Sequence, residues 1–140
     1  HAKPRCRLIR IDLATGQREV ILEKDGWLGH PQYRPYDDNT VAYCHEGPHD
    51  LVDARMWFIN EDGTNRRCGK EHLNGESCTH EFWVPDGSAM VYVSFQRGHA
   101  ERHIRRLDRR AFRSRRSDAG QRLLAPGRVG VAGEHGHFGG

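Results

Sequence analysis

The chain has 140 residues, about one domain in length, with 36% hydrophobic and 29% charged residues. It contains no run of 18 apolar residues, which excludes a transmembrane helix, and no basic-then-apolar leader is visible. The net charge of +3 is unevenly spread: residues 1–98 carry 12 Lys and Arg against 15 Asp and Glu, whereas residues 99–140 carry 10 Arg, no Lys and 4 acids.

In chain order, runs of β-branched and aromatic residues predict strands over 7–12, 18–22, 31–34, 40–44, 55–60, 66–69, 80–84 and 89–94. No stretch of residues 1–98 holds a helical period. Asp62-Gly63 and Asp86-Gly87 supply the positive-φ positions that tight hairpins need. His1, rather than Met, opens the chain, which therefore reads as an internal piece of a longer one. The four cysteines, Cys6, Cys44, Cys68 and Cys78, form no C-x-x-C pair and read as reduced core thiols.

Two segments align without a gap at an offset of 50 residues. His30-Pro-Gln-Tyr-Arg-Pro35 opens the first and His80-Glu-Phe-Trp-Val-Pro85 the second, and Val41 then meets Val91. A period near 50 with aromatic-x-Pro-Asp-Gly turns is the mark of β-propeller blades. The fold class expected is all-β: a propeller fragment of about two blades of four-stranded antiparallel sheet. The first two strands form the outer half of one blade, the next four a complete blade, and the last two begin a third. An isolated piece of this kind exposes sheet faces and edges.

Residues 1–98 are thus the partial propeller domain. Residues 99–140 are an Arg- and Gly-rich tail with no apolar period. That tail reads as disorder or as translation out of frame in preference to a nucleic-acid arm, so neither nucleic acid nor membrane is expected as a partner.

The chemistry concentrates between two strands. Cys44-His-Glu-Gly-Pro-His49-Asp-Leu-Val-Asp-Ala-Arg55-Met-Trp57 is a long polar connection with two histidines, three acids and an arginine. His30 and His80 each open a first strand, the position that lines a propeller's central channel. His30 and His49 are the candidates for substrate contact, with orientation of a neighbouring strand end as the alternative for His30. A metal pair of His45 and His49 is disfavoured, because the i,i+4 spacing suits a helix and Gly47-Pro48 intervenes.

Trp27–Val41, Cys44–Trp57 and Glu76–Trp83 closely resemble the oligogalacturonate lyases, seven-bladed propeller enzymes of bacterial pectin breakdown. The resemblance spans roughly residues 7–97. It implies β-elimination on short oligogalacturonides such as digalacturonate, in the cytoplasm. By motif position it assigns the base that removes the C5 proton to His80 and the active-site arginine that grips the uronate carboxylate to Arg55. A free imidazole titrates near ~6.5 and is largely able to accept a proton at neutral pH.

The family also uses a divalent metal, typically manganese. Its ligands are a histidine one blade on and a later Gln-x-x-His-x-His motif, and neither is present here. His135-Gly-His137 has Ala132 where that motif needs Gln. The alternatives to an enzyme are a non-catalytic TolB-like propeller that binds protein or carbohydrate, and a nucleic-acid binder driven by the tail. The structural alternatives at single residues are a strand histidine satisfied by a loop carbonyl for His80, and pairing with Asp53 or Asp50 for Arg55.

Overall fold

The computed structural model describes residues 2–37, 39–48, 51–73, 75–111 and 131–135. Among these described residues ten strands form three antiparallel sheets. The first sheet contains β1 (Arg5–Ile11) and β2 (Arg18–Asp25), with β10 (Val131–His135) on the free edge of β1. The second runs β3 (Trp27–Tyr33), β4 (Thr40–Glu46), β5 (Met56–Asn60) and β6 (Arg67–Cys68) in chain order. The third runs β7 (Glu76–Trp83), β8 (Ala89–Gln96) and β9 (His103–Asp108). The described residues contain no α-helix, and none long and apolar enough to cross a membrane; a 3-10 turn at Arg109–Ala111 ends the third sheet.

The stacking of these sheets explains the sequence of the middle one. From Thr40 to His45 every residue of β4 is buried, a pattern that only a strand covered on both faces shows. On one face Val41, Tyr43 and Ile59 pack with Cys6, Leu8, Ile21 and Leu28. On the other, Ala42, Met56 and Phe58 pack with Cys78, Trp83, Met90 and Tyr92. Alternation along one strand thus feeds two separate cores, one to each neighbouring sheet. The flanking sheets have no such double cover. Val20, Phe82 and Ile104 are exposed, as the sheets of a partial propeller require.

The blade turns are built as their composition indicates. Gly63 and Gly87 have φ of +82° and +66°, and the side chains of Asp62 and Asp86 accept from the backbone N–H of Thr64 and Ser88. Gly87 is further constrained because a Cβ there would lie 2.5 Å from the carbonyl oxygen of Pro35, in the matching turn of the middle sheet. The side chain of Arg34 donates from Nε to the Gly87 carbonyl at 2.7 Å, tying the two turns together. All four cysteines are free thiols, and three of them are buried.

All eight expected strands are present, and the grouping into an outer pair, a complete four-stranded blade and the start of a third holds. Two further strands fall within residues 99–140. One, β9, continues the third sheet by pairing His103–Asp108 with Ser94–Ala89, and the other is β10. Strand pairing therefore runs past residue 98. Residues 112–130 and 136–140 of the expected tail lie outside the described residues.

Candidate active site

The site grows out of one irregularity that occurs twice. The pairing of β3 with β4 shifts register between Gly29 and Gln32, and that of β7 with β8 shifts between Thr79 and Phe82. Within each shift stands a histidine in the left-handed region, His30 at φ 50° and His80 at φ 56°. For a residue with a Cβ this conformation costs about 1–2 kcal/mol. Such strain persists where surrounding structure enforces it, and it collects at functional sites. The two bulges lie on neighbouring first strands, joined where the Gln32 side chain donates from Nε2 to the Glu81 carbonyl at 2.8 Å.

The bulge in β7 sends consecutive side chains to different environments. His80 is exposed and makes no hydrogen bond or ion pair among the described residues. The carboxylate of Glu81 turns inward, with a side chain only 1% exposed. It meets Arg55, which ends the loop before β5. Nε of Arg55 donates to Oε1 of Glu81, and Nη2 donates to Oε2 at 3.3 Å, a side-on fork. The Cys44 thiol donates to the same Oε2 at 3.4 Å. A second carboxylate, Glu46 at the end of β4, accepts from Nη2 of Arg55 at 3.1 Å and lies 3.1 Å from Nε2 of His30. Gly29 leaves the space this requires, since a Cβ there would come within 2.6 Å of Glu46 Oε2.

The electrostatics arise from this packing. Burial works against the charge on Arg55, but its hydrogen bonds to the Glu81 carboxylate and the nearby Cys44 and Glu46 more than offset it, so its pKa is raised. Burial, with Glu81 alongside, pushes the Cys44 thiol far above its ordinary value, and burial pushes Cys78 up to about 11. Behind the pair is a small cavity of about 40 Å³, lined by His45, Glu46, Val52, Arg55, His72 and Cys78 among others. His45 Nδ1 and His72 Nε2 are buried without a hydrogen-bond partner among the described residues. Burial lowers the pKa of both imidazoles, with the positive charge of Lys24 adding to the effect at His45 and that of Lys70 at His72.

Arg55, His30 and Glu46 thus form one connected cluster, which Glu81 ties to the His80 bulge through the backbone. Among the described residues the carboxylates that hold Arg55 are Glu81 and Glu46, and not the Asp53 of the structural alternative. Asp53 lies instead 3.7 Å from His45 Nδ1. His49, the other residue expected to contact substrate, lies outside the described residues, as does Asp50. Sequence reasoning missed Glu81. The signal was present in the repeat, where Pro31 of the first copy is replaced by an acid in the second, beside the histidine the two copies share.

A family model described as oligogalacturonate lyase matches residues 1–121. The chain belongs to the oligogalacturonate lyase family. It is 72% identical over 105 residues to an oligogalacturonide lyase of Pectobacterium atrosepticum and 70% identical over 105 residues to an oligogalacturonate lyase of Dickeya dadantii. Each match covers 75% of this chain and 27% of the relative, so the chain spans about a quarter of those oligogalacturonate lyases.

Two solved structures agree. An oligogalacturonate lyase in complex with manganese matches with a TM-score of 0.74 and 68% identity, over 78% of this chain and 29% of the other. One from Vibrio parahaemolyticus matches with a TM-score of 0.71 and 62% identity, over 77% and 29%. The three stacked sheets are accordingly consecutive blades of an oligogalacturonate lyase propeller. Among the described residues no group of three or more His, Cys, Asp or Glu side chains is placed to hold a metal ion.

Proposed function

We propose that this chain supplies the base-and-arginine half of an oligogalacturonate lyase site, acting on short oligogalacturonides such as digalacturonate. The reaction is a β-elimination. A base removes the C5 proton, the C4–oxygen bond breaks, and a C4–C5 double bond forms as the leaving sugar departs. His80 is the base: it projects from a strained bulge with no carboxylate partner among the described residues, leaving its nitrogens free to take a proton. Arg55 is the fixed cation. Removing the C5 proton puts enolate-like charge on the uronate carboxylate, and a guanidinium already oriented by Glu81 balances that charge without reorganising. His30 contacts the substrate from the equivalent bulge one blade earlier.

The observation that carries this reading is the left-handed His80 bulge, whose next residue grips Arg55. Manganese belongs to the reading through the structural neighbour, and its ligands in a complete enzyme come from residues other than those described here. Four free cysteines fit a reducing compartment, which supports the cytoplasm as the place of the reaction.

The test uses a full-length enzyme carrying this segment, with manganese and digalacturonate. Ultraviolet absorbance of the unsaturated product rises with time. In His80→Ala the rise disappears while circular dichroism stays that of the parent. Undiminished turnover in that variant removes His80 as the base.

A further inference from the structure

Arg55 is anchored by two carboxylates of different character. Glu81 is almost wholly buried and covers the Nε–Nη2 edge of the guanidinium side-on. Glu46 is about one-third exposed and takes the remaining direction of Nη2, sharing its oxygen with His30. Nη1 has no partner among the described residues.

A buried ion pair is a poor stabilising device, because desolvating both charges offsets most of their attraction. An apolar pair of similar volume would serve the core between the two blades at least as well. What the pair does provide is direction. A guanidinium is planar and its donors are fixed in that plane, so once one edge is taken the orientation of the other is set.

We propose that Glu81 is the positioning residue of Arg55. By holding the Nε–Nη2 edge it fixes the guanidinium so that the Nη1–Nη2 edge faces an incoming uronate carboxylate. Glu46, the accessible carboxylate, is the partner that the substrate replaces on Nη2. Consecutive residues of one bulge thereby set the two halves of the reaction: His80 presents the base and Glu81 aims the cation. Cys44 completes the buried side by donating to the oxygen that Nη2 also uses.

This inference rests on the reading of Arg55 as the group that holds the uronate. It is tested in the full-length enzyme carrying this segment. Glu81→Gln keeps the shape and removes the charge, and kcat/KM for digalacturonate is expected to fall at least tenfold, chiefly through KM. The limb of the pH profile set by the base stays in place, since the base is untouched. Glu81→Asp, which restores the charge, recovers part of the loss. A folded Gln variant with kcat and KM within twofold of the parent overturns the proposal.

Should Glu81→Gln fail to fold, Arg55→Ala and the double variant Arg55→Ala/Glu81→Gln decide the matter, because the double variant leaves neither charge buried alone. Added guanidinium is expected to rescue Arg55→Ala saturably and to do nothing for the double variant. Equal rescue of the two overturns the role of Glu81. If Arg55→Ala alone leaves turnover intact, it is the assignment of Arg55 that fails, and the two failures are distinct.

Discussion

The bulges at His30 and His80 are copies of one device, 50 residues apart, and they differ in the residue next to the histidine. In the first copy that residue is Pro31, and the imidazole lies 3.1 Å from the Glu46 carboxylate. In the second it is Glu81, which points away into the core, and His80 has no carboxylate partner among the described residues. The same backbone therefore yields an imidazole committed to an acid in one blade and an unoccupied one in the other. Repetition supplied the geometry, and two positions separate the copies: the acid beside His30 is Glu46, whose counterpart 50 residues on is Gln96, and Pro31 gives way to Glu81.

The sharpest way to break this comparison is to truncate each histidine in the full-length enzyme. His80→Ala is expected to lower kcat by roughly 10²–10⁴-fold, the usual contribution of a general base. His30→Ala is expected to act mainly on KM and by about tenfold or less, as loss of one substrate contact would. Initial rates of unsaturated product across a digalacturonate series separate the two, and equal loss of kcat in both erases the distinction.

The turns beyond the bulges differ too, with Asp37 where the second copy has Gly87. Asp37 accepts hydrogen bonds from Asn39, Thr40 and Arg34, whereas Gly87 is held at positive φ against the Pro35 carbonyl. Gly87→Ala is expected to cost about 2–3 kcal/mol, combining the left-handed penalty with backbone overlap, and Asp37→Ala about 1 kcal/mol. Urea melts followed by tryptophan fluorescence read both.

A smaller effect tests the strain itself. At positions 30 and 80, a Gly variant is expected to be more stable than the matching Ala variant by about 1 kcal/mol, because only Gly adopts φ near +50° without penalty. Ala equal to Gly at either position means that the bulge relaxes.

The gentlest test concerns His45 and His72, behind the arginine. Burial holds both below the ordinary imidazole value of 6.5, so the unfolded chain binds more protons than the folded one once pH drops below about that value. Stability is complete above it and declines as pH falls toward the folded pKa values. The expected result is a melting temperature that drops between pH 7 and pH 5 by less in His45→Gln/His72→Gln than in the parent.

Much of this was legible before the structure. Strands such as β5, β7 and β8 announced themselves because each buries a face, and burial writes alternation into a sequence. The central strand β4 is buried on both faces, and its β-branched and aromatic residues marked it as a strand. The strand β9 did not announce itself, since five of the six residues in His-Ile-Arg-Arg-Leu-Asp are exposed and its pairing uses backbone groups that any composition carries. Likewise β10 arises by completing the open edge of β1, a contact across 121 or more residues that no local pattern encodes.

At the site, His80 and Arg55 stood out through long motifs and the chemistry of their side chains. The partner of Arg55 did not, because Glu81 reaches it only when two blades stack, and that pairing belongs to the packing of sheets.

The thiol of Cys44 carries a practical corollary. Shut in against Glu81 and held in its protonated form, it is inert toward alkylating reagents for as long as the Arg55 pair stays closed. The chain thus contains its own clock for the opening of that region, readable as the rate at which a maleimide finds this one sulfur.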